Sequence, residues 1–227
     1  MKKIHQIWIS DDNRSFSDQI KNTVEKLKFL YEGFDYQIYN NADCRNEVRK
    51  FNPKLTKIYD TILPYAFKAD LARYIILYMY GGYYYDISIC PEHRFECDLD
   101  SLLYKGIHNK LETNNLTIIE NNFMFFKDSN HEFLYSTIEE SIRRIKLKKY
   151  GRHPLDITGP IMLTDINCDN INFGQVKRIS EDQKASYYND IIHYKHKPKT
   201  YQANLYKMGC VGTNNYEEMW FDKKVFK

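Results

Sequence analysis

The stretch from Pro64 to Cys90 constrains this 227-residue chain more than any other. Tyr65 to Tyr80 contains neither proline nor glycine, and Phe67, Leu71, Tyr74, Ile75 and Tyr78 recur at helical spacing. Pro64 stands at the start of this predicted helix and Gly81-Gly82 at its end. Tyr83 to Ile89 then reads as a strand. Alternation puts Tyr84, Asp86 and Ser88 on one face, with Tyr83, Tyr85, Ile87 and Ile89 on the other, more buried face. The segment thus reads as a helix, a glycine stop and a strand in direct succession.

The flanking segments agree. Residues 3 to 9 read as a strand, 15 to 31 as a helix and 34 to 39 as a strand, an α/β unit of the mononucleotide-binding kind. Residues 41 to 62 read as short polar helices interrupted by Pro53. Leu116 to Ile119 and Phe123 to Phe126 read as two strands, and His131 to Lys149 as a helix with a basic end. Thr158-Gly159-Pro160 marks a turn before a short helix. Val176 to Ile179 and Ile191 to Tyr194 are weak strands. With no repeat or linker in view, one domain over 1–227 is expected, its tail from 195 to 227 folding over the site.

Charge and cysteine usage narrow the class. Thirty-three basic against 30 acidic residues leave a net charge of +3, which is no nucleic-acid footprint. The five cysteines form no CxxC pair, so a reducing compartment is expected. No apolar run has transmembrane length, and Met1-Lys2-Lys3-Ile4-His5 leads into a strand pattern rather than a signal peptide. The expected location is cytoplasmic, with at most peripheral membrane contact.

Asp70 and Arg73 share a helix face at i, i+3, and in isolation would read as a helical salt bridge. The strand after the glycines delivers Asp86 to the carboxyl edge of a sheet, where α/β folds bind ligands. A diphosphate there calls for a hard cation with oxygen ligands. Asp70-Leu-Ala-Arg73 followed by Gly81-Gly82-Tyr83-Tyr84-Tyr85-Asp86 resembles the glycosyltransferases with a sugar-binding region containing a DXD motif, family 32. Ile4-His5-Gln6-Ile7-Trp8 is similar to the first strand of that family, and Thr158-Gly159-Pro160 to one of its turns.

The resemblance implies a GT-A fold, a Rossmann-like nucleotide-diphospho-sugar transferase with a mixed central sheet flanked by helices. It also implies a UDP- or GDP-sugar donor, Mn²⁺ or Mg²⁺, retention of configuration, and a glycan, lipid-linked sugar or protein as acceptor. By position, Trp8 with Ile7 lies against the base, and Asp70 and Arg73 hold the sugar and diphosphate. Tyr84 lines the donor pocket, and Asp86 is the first acid of the motif. Apart from the resemblance, Asn121-Asn122 after a strand read either as reaching the donor or acceptor sugar, Asn122 being the donor-binding candidate, or as a turn. Ser88 replaces the second acid, leaving a weaker metal ligand and raising the alternative of an inactive nucleotide-sugar binder. His193 and His196 are the further metal candidates, and Glu92 a possible helper.

Two other patterns read more plainly. Asp98-Leu99-Asp100 before Ser101-Leu102-Leu103 reads as a helix cap. The basic run Arg143, Arg144, Lys146, Lys148, Lys149 and Arg152 reads as a solvated helix end suited to the macrodipole, with an anionic membrane as the sharper alternative.

Overall fold

A computed structural model describes residues 2–10, 18–91, 93–96, 98–108, 116–167, 169–179, 182–187, 190–196 and 215–227. The amino-terminal unit forms as its periodicity dictates. β1 (Lys3–Ile7), α1 (Asp18–Leu30) and β2 (Asp35–Tyr39) follow in order, and β1 pairs with β2 in parallel from Lys3↔Asp35 to Ile7↔Tyr39. Asn40 caps α2 (Asn41–Phe51) through a reciprocal box with Asp43; α3 (Leu55–Thr61) follows Pro53.

α4 (Tyr65–Tyr80) has the limits its sequence announces. Gly81 and Gly82 both have positive φ, and a Cβ on Gly82 would stand 2.6 Å from the Lys3 carbonyl oxygen. The glycine pair therefore stops the helix and also lets β3 (Gly82–Tyr85) run flush against β1, in parallel.

The remaining elements are β4 (Ile89–Pro91), β5 (Ser101–His108), β6 (Leu116–Phe126), α5 (Glu132–Lys146), a 3₁₀ turn (Pro154–Asp156) and α6 (Pro160–Thr164), then β7 (Phe173–Ile179), β8 (Asp182–Tyr187), β9 (Asp190–His196) and α7 (Tyr216–Phe221). The nine strands make one mixed sheet in the order β2-β1-β3-β6-β5-β7-β8-β9-β4. One face packs on α2, α3, α4 and α5 through residues such as Tyr59, Leu71, Ile75 and Phe126. The other carries Ile4, Tyr83, Tyr85, Tyr104 and Phe123, with Leu27 of α1 and Tyr31 just past its end packed on them. Seven of the largest fully buried side chains are tyrosines, so the tyrosine excess largely builds core.

Several expectations change. The strand after the glycines ends at Tyr85 rather than Ile89, because Asp86–Ser88 turn, closed by the Ile89 amide donating to the Asp86 carbonyl at 2.9 Å. Both faces of β3 are buried, not one. Residues 116 to 126 form one strand rather than two. Its register with β5 jumps from Leu102↔Phe125 to Tyr104↔Glu120, leaving Asn121 to Met124 opposite Leu103 alone, a bulge that begins at Asn121. Ser101–His108 is a strand, so Asp98 and Asp100 cap no helix. Of the tail, 197–214 lies outside the described residues. Residues 215–227 are docked, with Val225 fully buried and Phe226 bridging to Ile62.

Candidate functional site

The site is assembled where α4, the end of β3, the β6 bulge and the loop before α6 converge. Asp86 is the first residue past β3, and its amide donates to the Asn122 carbonyl at 2.7 Å. Its carboxylate Oδ1 accepts from Arg73 Nη1 at 3.0 Å and from the Tyr84 hydroxyl at 2.9 Å, while 27% of the side chain stays exposed. Asp86 is thus the cluster's solvent-facing acid.

Arg73 is buried behind it. Nη1 also donates to the Asn121 carbonyl at 2.6 Å, Nη2 lies 3.1 Å from Asp70 Oδ1, and the guanidinium sits 4.5 Å from the Tyr84 ring centre. Burial works against its charge, but Tyr84, Asp86 and Asp70 outweigh it and push the group further up, so it remains a fixed cation.

Asp70 lies deeper. Oδ1 accepts from Asn121 Nδ2 at 2.9 Å and Oδ2 from the Thr158 hydroxyl at 2.9 Å. Burial raises its carboxyl to about 6, against the lowering pull of Arg73 and of the Thr158 hydrogen bond. The group is therefore ionised at neutral pH. The Tyr74 hydroxyl ties the floor together, donating to the Thr158 carbonyl at 2.7 Å and accepting from Asn121 Nδ2 at 2.8 Å.

The Thr158 loop has its own support. Buried Arg144 of α5 grips Glu140, Asp156 and Asp165 together, and Asp156 Oδ2 also accepts from the Arg152 amide at 3.1 Å. The basic end of α5 is therefore not wholly solvated: Arg144 is 2% exposed and anchors the loop that reaches Asp70.

Of the residues singled out in the sequence, Asp70, Arg73, Tyr84 and Asp86 come together. Trp8 follows β1 with its amide on the Tyr39 carbonyl, and packs beside Ile20, Val24 and Ile87. It thus marks the carboxyl ends of neighbouring parallel strands. Ile7 is in the core on the α4 side. The Asn122 side chain turns to Glu120 Oε2 at 3.2 Å, and its contribution to the cluster is its carbonyl. It is Asn121 whose side-chain amide reaches the acids. Ser88 is partly buried in the turn, not on a strand. His193 and His196 lie on β9, His193 opposite Pro91, with side chains outside what is described; Glu92 lies outside it altogether. Among the described residues no three His, Cys, Asp or Glu side chains gather as a metal cage. Thr158 and Tyr74 are additions from the structure; the Thr-Gly-Pro turn was the available signal for the first.

Residues 17–115 match the sequence model of the glycosyltransferase sugar-binding region containing DXD motif. The chain is 39% identical over 87 residues to an uncharacterized glycosyltransferase of Acanthamoeba polyphaga mimivirus, covering 38% of this chain and 34% of that protein. It is 29% identical over 103 residues to inositol phosphoceramide mannosyltransferase 2 of Schizosaccharomyces pombe, covering 45% and 28%. The chain thus spans about a third of the length of these relatives. The solved PaToxG glycosyltransferase superposes with a TM-score of 0.52 at 16% identity, over 72% of this chain and 67% of that one. Residues 17–115 are thus similar to that glycosyltransferase region, and the fold of the chain is GT-A.

Proposed function

We propose that this chain moves a glycosyl group from a nucleotide-sugar donor to an acceptor hydroxyl, in a site at the carboxyl edge of β1 and β3. The observation that carries this reading is the joint placement of Asp70, Arg73 and Asp86 at the strand end of a GT-A fold. Asp70 and the Asn121 amide suit the hydroxyls of the donor sugar. Arg73, fixed in place by four contacts, supplies a positive charge behind the diphosphate that needs no reorganisation during reaction. Trp8 and Ile87 offer an apolar wall for the base.

The donor set also fits a divalent cation, Mn²⁺ or Mg²⁺. Asp86 is a partly exposed carboxylate and Ser88 a hydroxyl two residues on, both oxygen ligands, with phosphate and water oxygens for the rest. When bound, such a cation offsets charge developing on the departing diphosphate. In the transfer, the bond from the anomeric carbon to the diphosphate oxygen breaks. The acceptor oxygen bonds to that carbon on the same face, and its proton passes to the leaving phosphate. Retention then needs no covalent sugar–protein intermediate.

A donor-hydrolysis screen over UDP- and GDP-sugars, each with and without Mn²⁺, tests this directly. Asp86→Ala is expected to abolish hydrolysis and transfer while leaving the far-UV circular dichroism unchanged; near-normal turnover by the variant refutes the assignment. The mannosyltransferase relative makes GDP-mannose and a sphingolipid acceptor sensible first arms. Ser88 motivates a second reading, a nucleotide-sugar binder without turnover. Ser88→Asp should then create activity, and brisk turnover by the unmodified chain excludes that reading.

A further inference from the structure

The basic end of α5 does not stand alone. The docked C-terminal segment lies directly on it: Lys148 Nζ donates to the Lys227 carbonyl at 2.8 Å, Trp220 Nε1 to the Tyr150 carbonyl at 2.7 Å, and the Val225 amide to the Tyr150 hydroxyl at 3.1 Å. Exposed Lys146, Lys148, Lys149 and Arg152 are thereby joined by exposed Lys223, Lys224 and Lys227 in one contiguous surface. Lys224 is paired with Asp222 at 3.0 Å, and Lys223 rests on the Tyr150 and Trp220 rings. Lys146, Lys149 and Arg152 form no salt bridge among the described residues, and Lys227 feels the charge of Asp60 without an ion pair to it.

The same surface is apolar in a way that a solvated helix end is not. Four large hydrophobic side chains are exposed in the described chain, and two of them are here: Leu147 at 64% and Phe221 at 70%. Leu147 stands between Lys146 and Lys148, and Phe221 two positions before Lys223 with Asp222 between them. Lys148 and Lys223 also hold left-handed backbone conformations just past their helices, positions that ordinarily favour glycine. Cations with an interspersed aromatic and aliphatic residue combine the two contributions to adsorption on an anionic bilayer, apolar area entering the interface and attraction to its charge. A nucleic acid would use the charge but gain nothing from an exposed leucine.

We infer that this surface, formed by the turn after α5 and the segment from Phe221 to Lys227, docks on an anionic lipid bilayer, with Leu147 and Phe221 entering the interface. The inference stands apart from the transfer reaction. It also has a geometric bearing on it: Tyr216, at the start of α7, packs on Phe67 at 5.7 Å, one helical turn before Asp70, so the docked segment borders the site. The acids Glu217 and Glu218 are at that end of α7, and the lysines follow its last turn.

Vesicle flotation with the whole chain tests this. Phosphatidylcholine vesicles containing phosphatidylserine should capture the protein, pure phosphatidylcholine should not, and capture should fall as salt rises. Lys149→Gln with Lys227→Gln should weaken partitioning roughly fivefold per lysine. Leu147→Ser with Phe221→Ser should weaken it on the order of tenfold. All four sites are exposed, and unchanged thermal melting confirms intact folding. No capture by anionic vesicles, equal capture by neutral ones, or indifference to the Leu147/Phe221 pair overturns the proposal. RNA binding equal to vesicle binding and insensitive to that pair also overturns it, assigning the surface to polyanions instead. Donor hydrolysis by a variant that has lost vesicle binding separates this outcome from failure of the enzymatic reading.

Discussion

Asp70 offers a measurement in which the sign as well as the size is determined by the structure. Its carboxyl ordinarily titrates at 3.8, and burial raises it to about 6 in the folded chain. Between those values the native state holds a proton that the unfolded chain has lost. The free energy of unfolding therefore falls as pH rises through this interval, and is level above it. A difference of about two units corresponds to roughly 3 kcal/mol. Asp70→Asn removes the titration while keeping the side chain's size and an oxygen for Arg73. In urea unfolding followed by circular dichroism from about pH 4 to about pH 7, wild type should lose roughly 3 kcal/mol relative to the variant. Parallel pH profiles would refute the reasoning. So would a wild type that gains stability relative to the variant, since that would mean its three hydrogen-bond and ion-pair donors outweigh burial.

Two further substitutions test the scaffold. Gly82→Ala should cost at least about 2 kcal/mol, since positive φ combines with a clash on the Lys3 carbonyl, whereas Gly33→Ala, with positive φ and open space, should cost about 1 kcal/mol, both read as melting shifts. Arg144→Met should lower unfolding free energy by roughly 3–5 kcal/mol, and Arg144→Lys should recover only part, because an ammonium cannot fork to Glu140, Asp156 and Asp165.

Much of the fold could be read in advance where local rules agree with tertiary packing. Tyr65–Tyr80 has proline before it, glycines after it and a continuous apolar stripe, and Asp70, Arg73 and Asp86 followed from it. The failures have physical causes. Asp98 and Asp100 look like caps because capping is a local pattern, yet Ser101–His108 is recruited to pair with β6 and β7, which no local signal announces. Asn121 and Asn122 look interchangeable in sequence. A register jump against β5 turns the first side chain to the acids and the second to Glu120, and a bulge of that kind depends on the partner strand. Thr158 is 88 positions from Asp70, so its contact exists only through the fold.

The bulge in β6 has one more consequence. Two atoms that hold the cluster in shape, the Asn121 oxygen under Arg73 and the Asn122 oxygen under the Asp86 amide, belong to the main chain. Residue replacement cannot delete either atom, so an alanine scan will under-report what this segment contributes. Backbone ester substitution at the Asp86 amide, which removes the donor and leaves every side chain in place, is the kind of chemistry that can expose it.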